Sequence, residues 1–220
     1  MAPTFETGPT LDGELQKALK SAEAERRKLE KANQESKIDP LTESLIFDRN
    51  IDEIESLLRD MNFPSESDQP REGRTRQHKI NAVMFVFCDL DKFKPINDTY
   101  GHDVGDRALK FYSRRLNTAL ARPGDRVYRK SGDEFILVLP IDDPDVSEGA
   151  LKNIEAGIRE RINNGFDFYP SADKDVDPIH MSVSMGSDVI RKGEKKTLKE
   201  LIAQADQRMY AEKQRSGKGR

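Results

Sequence analysis

Apolar side chains at Leu11, Leu15, Ala18, Ala22, Leu29 and Ala32 alternate in spacings of four and three. This predicts a helix over 11–37 with a thin, Ala-rich seam interrupted by Glu25. A solvated helical linker and a dimerising stalk both fit such a seam. Pro40 in "IDPLTES" ends the run, because the residue before a proline avoids the α region. A second helix follows with Phe47, Ile51, Ile54, Leu58 and Met61 on one face. From 62 to 79 the chain has prolines, a glycine and charges but almost no apolar side chains, which predicts a long surface loop.

"AVMFVFCDLD" is apolar at odd and even positions alike from Ala82 to Cys88, the mark of a central strand covered on both faces. A helix over 103–120 turns Leu109, Tyr112, Leu116 and Ala119 inward. "RVYRK" and "EFILVLP" read as a hairpin with a tight Ser131-Gly132 turn. A helix through Leu151, Ile154, Ile158 and Ile162, a strand "IHMSVSMG", and a helix through Leu198, Ile202, Ala205 and Met209 complete the order. The series β-α-β-β-α-β-α implies an α+β fold: a central antiparallel sheet of ferredoxin-like type, helices packed on one side of it, and an N-terminal helix in front. Residues 1–37 form the expected linker and 38–220 the main domain, without internal repeats.

Composition narrows the function. With 37 basic and 40 acidic residues and a net charge of −3, no global positive field recommends nucleic acid or a membrane surface. Cys88, the single cysteine, excludes an internal disulfide. No window approaches a membrane span, and "MAPTFETGPT" lacks the build of a signal peptide, so the expectation is a soluble, cytoplasmic protein.

The candidate chemistry is acidic. Asp89 and Asp91 end the buried strand on the same side, and Asp133 and Glu134 sit at the hairpin turn of a neighbouring strand. Carboxylates crowded at the ends of buried strands repel unless a cation or protons neutralise them, and a hard divalent cation, magnesium first, suits an all-oxygen set. The three histidines at 78, 102 and 180 are too scattered for zinc. Acidic residues that merely solvate strand ends remain an equal reading on chemistry alone. In "DKFKPINDTYGHDVGDRAL", Lys92 and Lys94 could meet phosphate and Asn97 a base, but the same residues suit a turn and a helix N-cap.

In order, "DPLT", "DLDKFKPINDTYGHDVGD", "RKSGDEF", "SVSMG" and "ADQRMYAEK" resemble the GGDEF family of diguanylate cyclases, over about five-sixths of the chain from Asp39. The resemblance implies a nucleotidyl-cyclase-like fold and a dimer that joins two GTP into cyclic di-GMP with release of pyrophosphate. It further implies magnesium, with manganese as an alternative, on Asp89, Asp133 and the Leu90 carbonyl. Glu134, or Asp133, is then the base for the ribose 3′-hydroxyl, and Lys94 stabilises the transition state. Asn97 and Asp106 match the guanine-reading pair, His102 a substrate contact, and Lys213 with Lys218 the phosphate-binding pair. Arg122 and Asp125 in "RPGD" match the family's product-inhibition site, although "RPGD" is also an ordinary turn.

Three departures stand out. Ser131 replaces the motif's first glycine, which implies weakened rather than abolished catalysis. "DPLTESLIFDR" is longer than the family's opening motif and lacks its glycine, and Lys218 lies one residue further from Lys213 than in the family, so Arg215 could serve instead. A catalytically idle module that binds cyclic di-GMP or GTP and signals to a partner is the alternative reading.

Overall fold

The computed structural model describes residues 11–62, 80–120, 122–163, 166–171 and 176–217. The chain divides into two units, Met1–Ser36 and Lys37–Arg220. The described part of the first is α1 (Leu11–Glu35), with Leu15 and Leu19 more than half exposed. The side chains of Leu11, Ala18 and Leu29 in the expected seam lie outside the described residues.

The second unit opens with β1 (Leu45–Ile46), a 3-10 turn at Phe47–Arg49 and α2 (Ile51–Asn62). Phe47, Ile54, Leu58 and Met61 are buried, as their spacing predicts. From residue 63 on, the expected loop lies outside the described residues. The chain continues through β2 (Ala82–Leu90), α3 (Phe93–Tyr100) and α4 (His102–Ala119). Then come β3 (Arg126–Ser131), β4 (Glu134–Ile141) and α5 (Glu148–Asn163). The last elements are β5 (Asp167–Phe168), β6 (Ile179–His180), β7 (Val183–Arg191) and α6 (Leu198–Arg215).

The sheet runs β1-β3-β4-β2-β7, antiparallel except where β1 joins β3. Every residue of β2 is buried, as an unbroken apolar run requires. Its alternate side chains enter two cores. Ala82, Met84, Val86, Cys88 and Leu90 pack with Ala108, Tyr112 and Leu116 of α4 and Leu151, Ile158 and Ile162 of α5. Val83, Phe85 and Phe87 pack with Ile54, Leu58 and Met61 of α2 and Leu201, Ala205 and Met209 of α6. Helices therefore cover both faces of the sheet, not one.

Three local expectations are also corrected. The polar stretch after β2 is helical as α3: Pro95 falls in its first turn, where a missing N–H costs nothing, and Ile96 is buried. Gly101, at φ +84°, then separates α3 from α4, which starts at His102. Ser131 pairs with Glu134, so the hairpin turn is Gly132-Asp133, with Gly132 in the left-handed region at φ +45°. The last long strand runs over β7 and not from Ile179, which pairs with β5 in a separate ribbon. Asp188 looks like a strand terminator, yet it is buried and bonded to Lys196 and Arg208, and the strand continues through it.

Candidate active site

Register places the acidic residues. Asp89 stands directly opposite Glu134 on β4, with Ser184 of β7 on its other side. The Leu90 amide donates to the Asp133 carbonyl at 3.4 Å, so the Gly132-Asp133 turn is held to the end of β2. From α6, Lys213 Nζ donates to Asp89 Oδ1 at 2.5 Å, with both side chains largely buried. Burial pushes the Asp89 carboxyl above its ordinary value; Lys213 opposes this, while Glu134 and Asp91 add to it. Asp133 is raised likewise, first by burial and then by Asp89. The group thus holds more negative charge than one lysine relieves.

A cavity of about 620 Å³ opens on this group, lined by Asp89, Glu134, Asp206, Met209, Tyr210 and Lys213 among others. Asp206, raised by burial and by the nearby Glu134, went unread in the sequence. Its signal was there: Asp206, Tyr210 and Lys213 follow helical spacings of four and three and so share a face of α6. Lys218 lies outside the described residues, and Arg215 is exposed in the last turn of α6.

Asp91 is engaged elsewhere. Its carboxylate accepts the hydroxyls of Ser182 and Ser184, each at 2.6 Å, and ties the end of β2 to β7. The Ser131 hydroxyl donates to Glu134 Oε2 at 2.6 Å. Behind the turn, the Arg129 guanidinium donates to the Gly132 carbonyl at 2.9 and 3.1 Å and to Asp39 Oδ1 at 2.8 Å. Asp39 in turn accepts from the Thr42 amide and hydroxyl. Through these bonds "DPLT" buttresses the hairpin turn, a link that sequence spacing could not show.

The remaining predicted residues form two further groups. Lys94 and Asn97 lie on α3, His102 and Asp106 on α4. The Asn97 side chain rests against Gly105, where any Cβ would collide with its amide oxygen, so it sits beside the turn that carries Asp106. Arg122 and Asp125 lie at the opposite end of β3 from the Gly132 turn. The Arg122 amide donates to Asp125 Oδ2 at 3.3 Å, and Asp125 Oδ1 is buried without a hydrogen-bond partner among the described residues. Burial raises the Asp125 carboxyl, against the attraction of Arg122, Arg161 and Arg126. Arg161, on α5, donates from Nε to the Ala119 carbonyl at 2.7 Å, and its closeness to Asp125 could not be read from the sequence.

Comparison with known proteins places the chain in a family. The family model described as "Diguanylate cyclase, GGDEF domain" matches residues 65–219. The chain is 34% identical over 143 residues to the signaling protein YkoW of Bacillus subtilis, covering 64% of this chain and 16% of that protein. It is 29% identical over 136 residues to the diguanylate cyclase VdcA of Vibrio cholerae, covering 62% of this chain and 38% of VdcA. Among solved structures, the GGDEF domain of PA1120 (TpbB or YfiN) from Pseudomonas aeruginosa superposes with a TM-score of 0.60 at 25% identity, covering 81% of this chain and 89% of that one. The chain belongs to the GGDEF, diguanylate cyclase family, and it spans well under two thirds of the curated relatives it matches.

Proposed function

We propose that the chain is a magnesium-dependent diguanylate cyclase whose residues 38–220 form the catalytic domain behind a helical linker. The observation that carries this reading is Asp89 facing Glu134 across two strands, beside Asp133 and within one cleft shared with Lys213. Among the described residues no three acidic, His or Cys side chains converge as a ready metal cage. Two carboxylates and a carbonyl nonetheless fit magnesium, which keeps positions for water and substrate phosphates. Asp89, Asp133 and the Leu90 carbonyl would hold it; manganese would suit the same oxygens. When bound, the ion neutralises charge on the triphosphate.

Glu134, with Asp133 as the alternative base, accepts the proton of the ribose 3′-hydroxyl. The new O3′–P bond forms at the α-phosphorus of the facing subunit's GTP, the bond to pyrophosphate breaks, and a second such transfer closes the ring. Lys94 stabilises the transition state, Lys213 and Lys218 hold phosphates, and His102 contacts substrate. Asn97 and Asp106 read guanine; a carboxylate that accepts from N1–H and the 2-amino group favours GTP over ATP by about 1–3 kcal/mol. Cyclic di-GMP bound at Arg122 and Asp125 inhibits, and the partly buried Asp125 carboxylate, which feels the charges of Arg122, Arg161 and Arg126, supports that assignment. Incubation with GTP and magnesium, followed by mass, tests the reading: cyclic di-GMP should accumulate and, when added at the start, slow its own formation. The Ser131 bond to Glu134 favours a second reading, an idle module; calorimetry showing tight cyclic di-GMP binding without turnover would select it.

A further inference from the structure

We propose that Arg159 on α5 and Glu212 on α6 are positioning residues that aim Lys213 into the triphosphate cleft, an inference that rests on the function proposed above. Glu212 immediately precedes Lys213 and is held from two directions. Its Oε1 accepts from Arg159 Nη1 at 2.6 Å and from the Met185 amide at 3.4 Å. Arg159 Nη2 donates to the Met185 carbonyl and to Glu155 Oε1, both at 3.2 Å, and Glu155 Oε2 accepts the Ser187 hydroxyl at 2.6 Å.

The location gives the clamp its consequence. β7 is the edge strand, and these side chains cover its free backbone at Met185. Met185 pairs with Cys88 and Ser184 with Asp89, so the clamp grips the sheet one residue from the carboxylate that Lys213 meets. Gly186 lets α6 lie directly on the strand, where a Cβ would run into the backbone at Ala205 and Met209. A helix turns roughly 100° per residue, so pinning Glu212 against β7 fixes the direction of Lys213. Arg159, Glu155 and Glu212 are each about one-third exposed or less, so their bonds are poorly replaced by water. Arg159 and Glu212 are not in the cavity lining and take no part in the proposed chemistry.

The test is calorimetry on the full chain with magnesium and two ligands: the α,β-methylene analogue of GTP, which cannot release pyrophosphate, and GMP, which lacks the outer phosphates. R159Q and E212Q should each weaken the analogue about tenfold and leave GMP unchanged. In a K213M background neither should cause further loss, and R159K should recover part of the affinity. Should R159Q fail to fold, E212Q carries the test, since it keeps its size. Unchanged analogue binding, equal loss of both ligands, or full additivity with K213M would overturn the proposal while leaving the function standing. A wild-type chain that binds neither ligand overturns both.

Discussion

Asp39 shows how much a single side chain can hold. Burial works to raise its carboxyl, but the Thr42 amide and hydroxyl and the Arg129 guanidinium outweigh burial and hold it below its ordinary value of 3.8. A depressed carboxyl stabilises the fold at pH values above the ordinary one and loses that contribution as pH falls through the lower folded value. Urea denaturation should therefore show Asp39→Asn about 1–2 kcal/mol less stable than wild type near pH 6, with the gap closing toward pH 3. A gap independent of pH would refute the assignment. Ser131 makes the opposite kind of contact, engaging the carboxylate of Glu134, the proposed base. Ser131→Gly should raise the rate of cyclic di-GMP formation about twofold to fivefold, and a fall in rate would mean that the hydroxyl assists Glu134. Asp89, Asp133 and Glu134 were legible in the sequence because Asp89 ends a buried apolar strand and Asp133 and Glu134 sit together at the turn into its neighbour. Arg161 and the Asp39–Arg129 contact were not, because long-range contacts leave no local pattern.

Elements were legible where period and burial agreed. β2 and α4 follow from their apolar spacing, whereas α3 was hidden by turn-forming residues and the end of β7 by a buried, paired Asp188. Helices on both faces could have been deduced from β2 itself, since a strand apolar on both sides needs two covers. The element on which the site depends most is α6, which brings Lys213, Tyr210 and Asp206 to the cleft. Its close approach to β7 rests on Gly186. Gly186→Ala should cost about 1–3 kcal/mol in urea denaturation and weaken GTP binding as well, because the obstruction is helix backbone that must shift as a unit. Loss of stability with GTP affinity intact would separate α6 from the site.

For the whole molecule, the proposed reaction demands two copies, since a subunit holding one GTP cannot close a two-fold ring alone. No helix among the described residues is long and apolar enough to cross a membrane, and α1 carries exposed leucines at positions 15 and 19. If α1 promotes pairing, deletion of residues 1–37 should lower activity mainly at low protein concentration, with the difference vanishing as concentration rises. Activity per subunit unchanged on dilution of both forms would remove that role.

In the proposed reaction the acidic group at the ends of β2 and β4 joins two GTP molecules. This is tested most directly by incubating wild type and Asp89→Asn with GTP and magnesium at high protein concentration and weighing the products. Wild type should give one cyclic di-GMP and two pyrophosphates per two GTP, and Asp89→Asn at least a hundredfold less, about the loss expected when one charged group of such a site is removed. Unchanged GTP from folded wild-type protein, or equal turnover by Asp89→Asn, would contradict it.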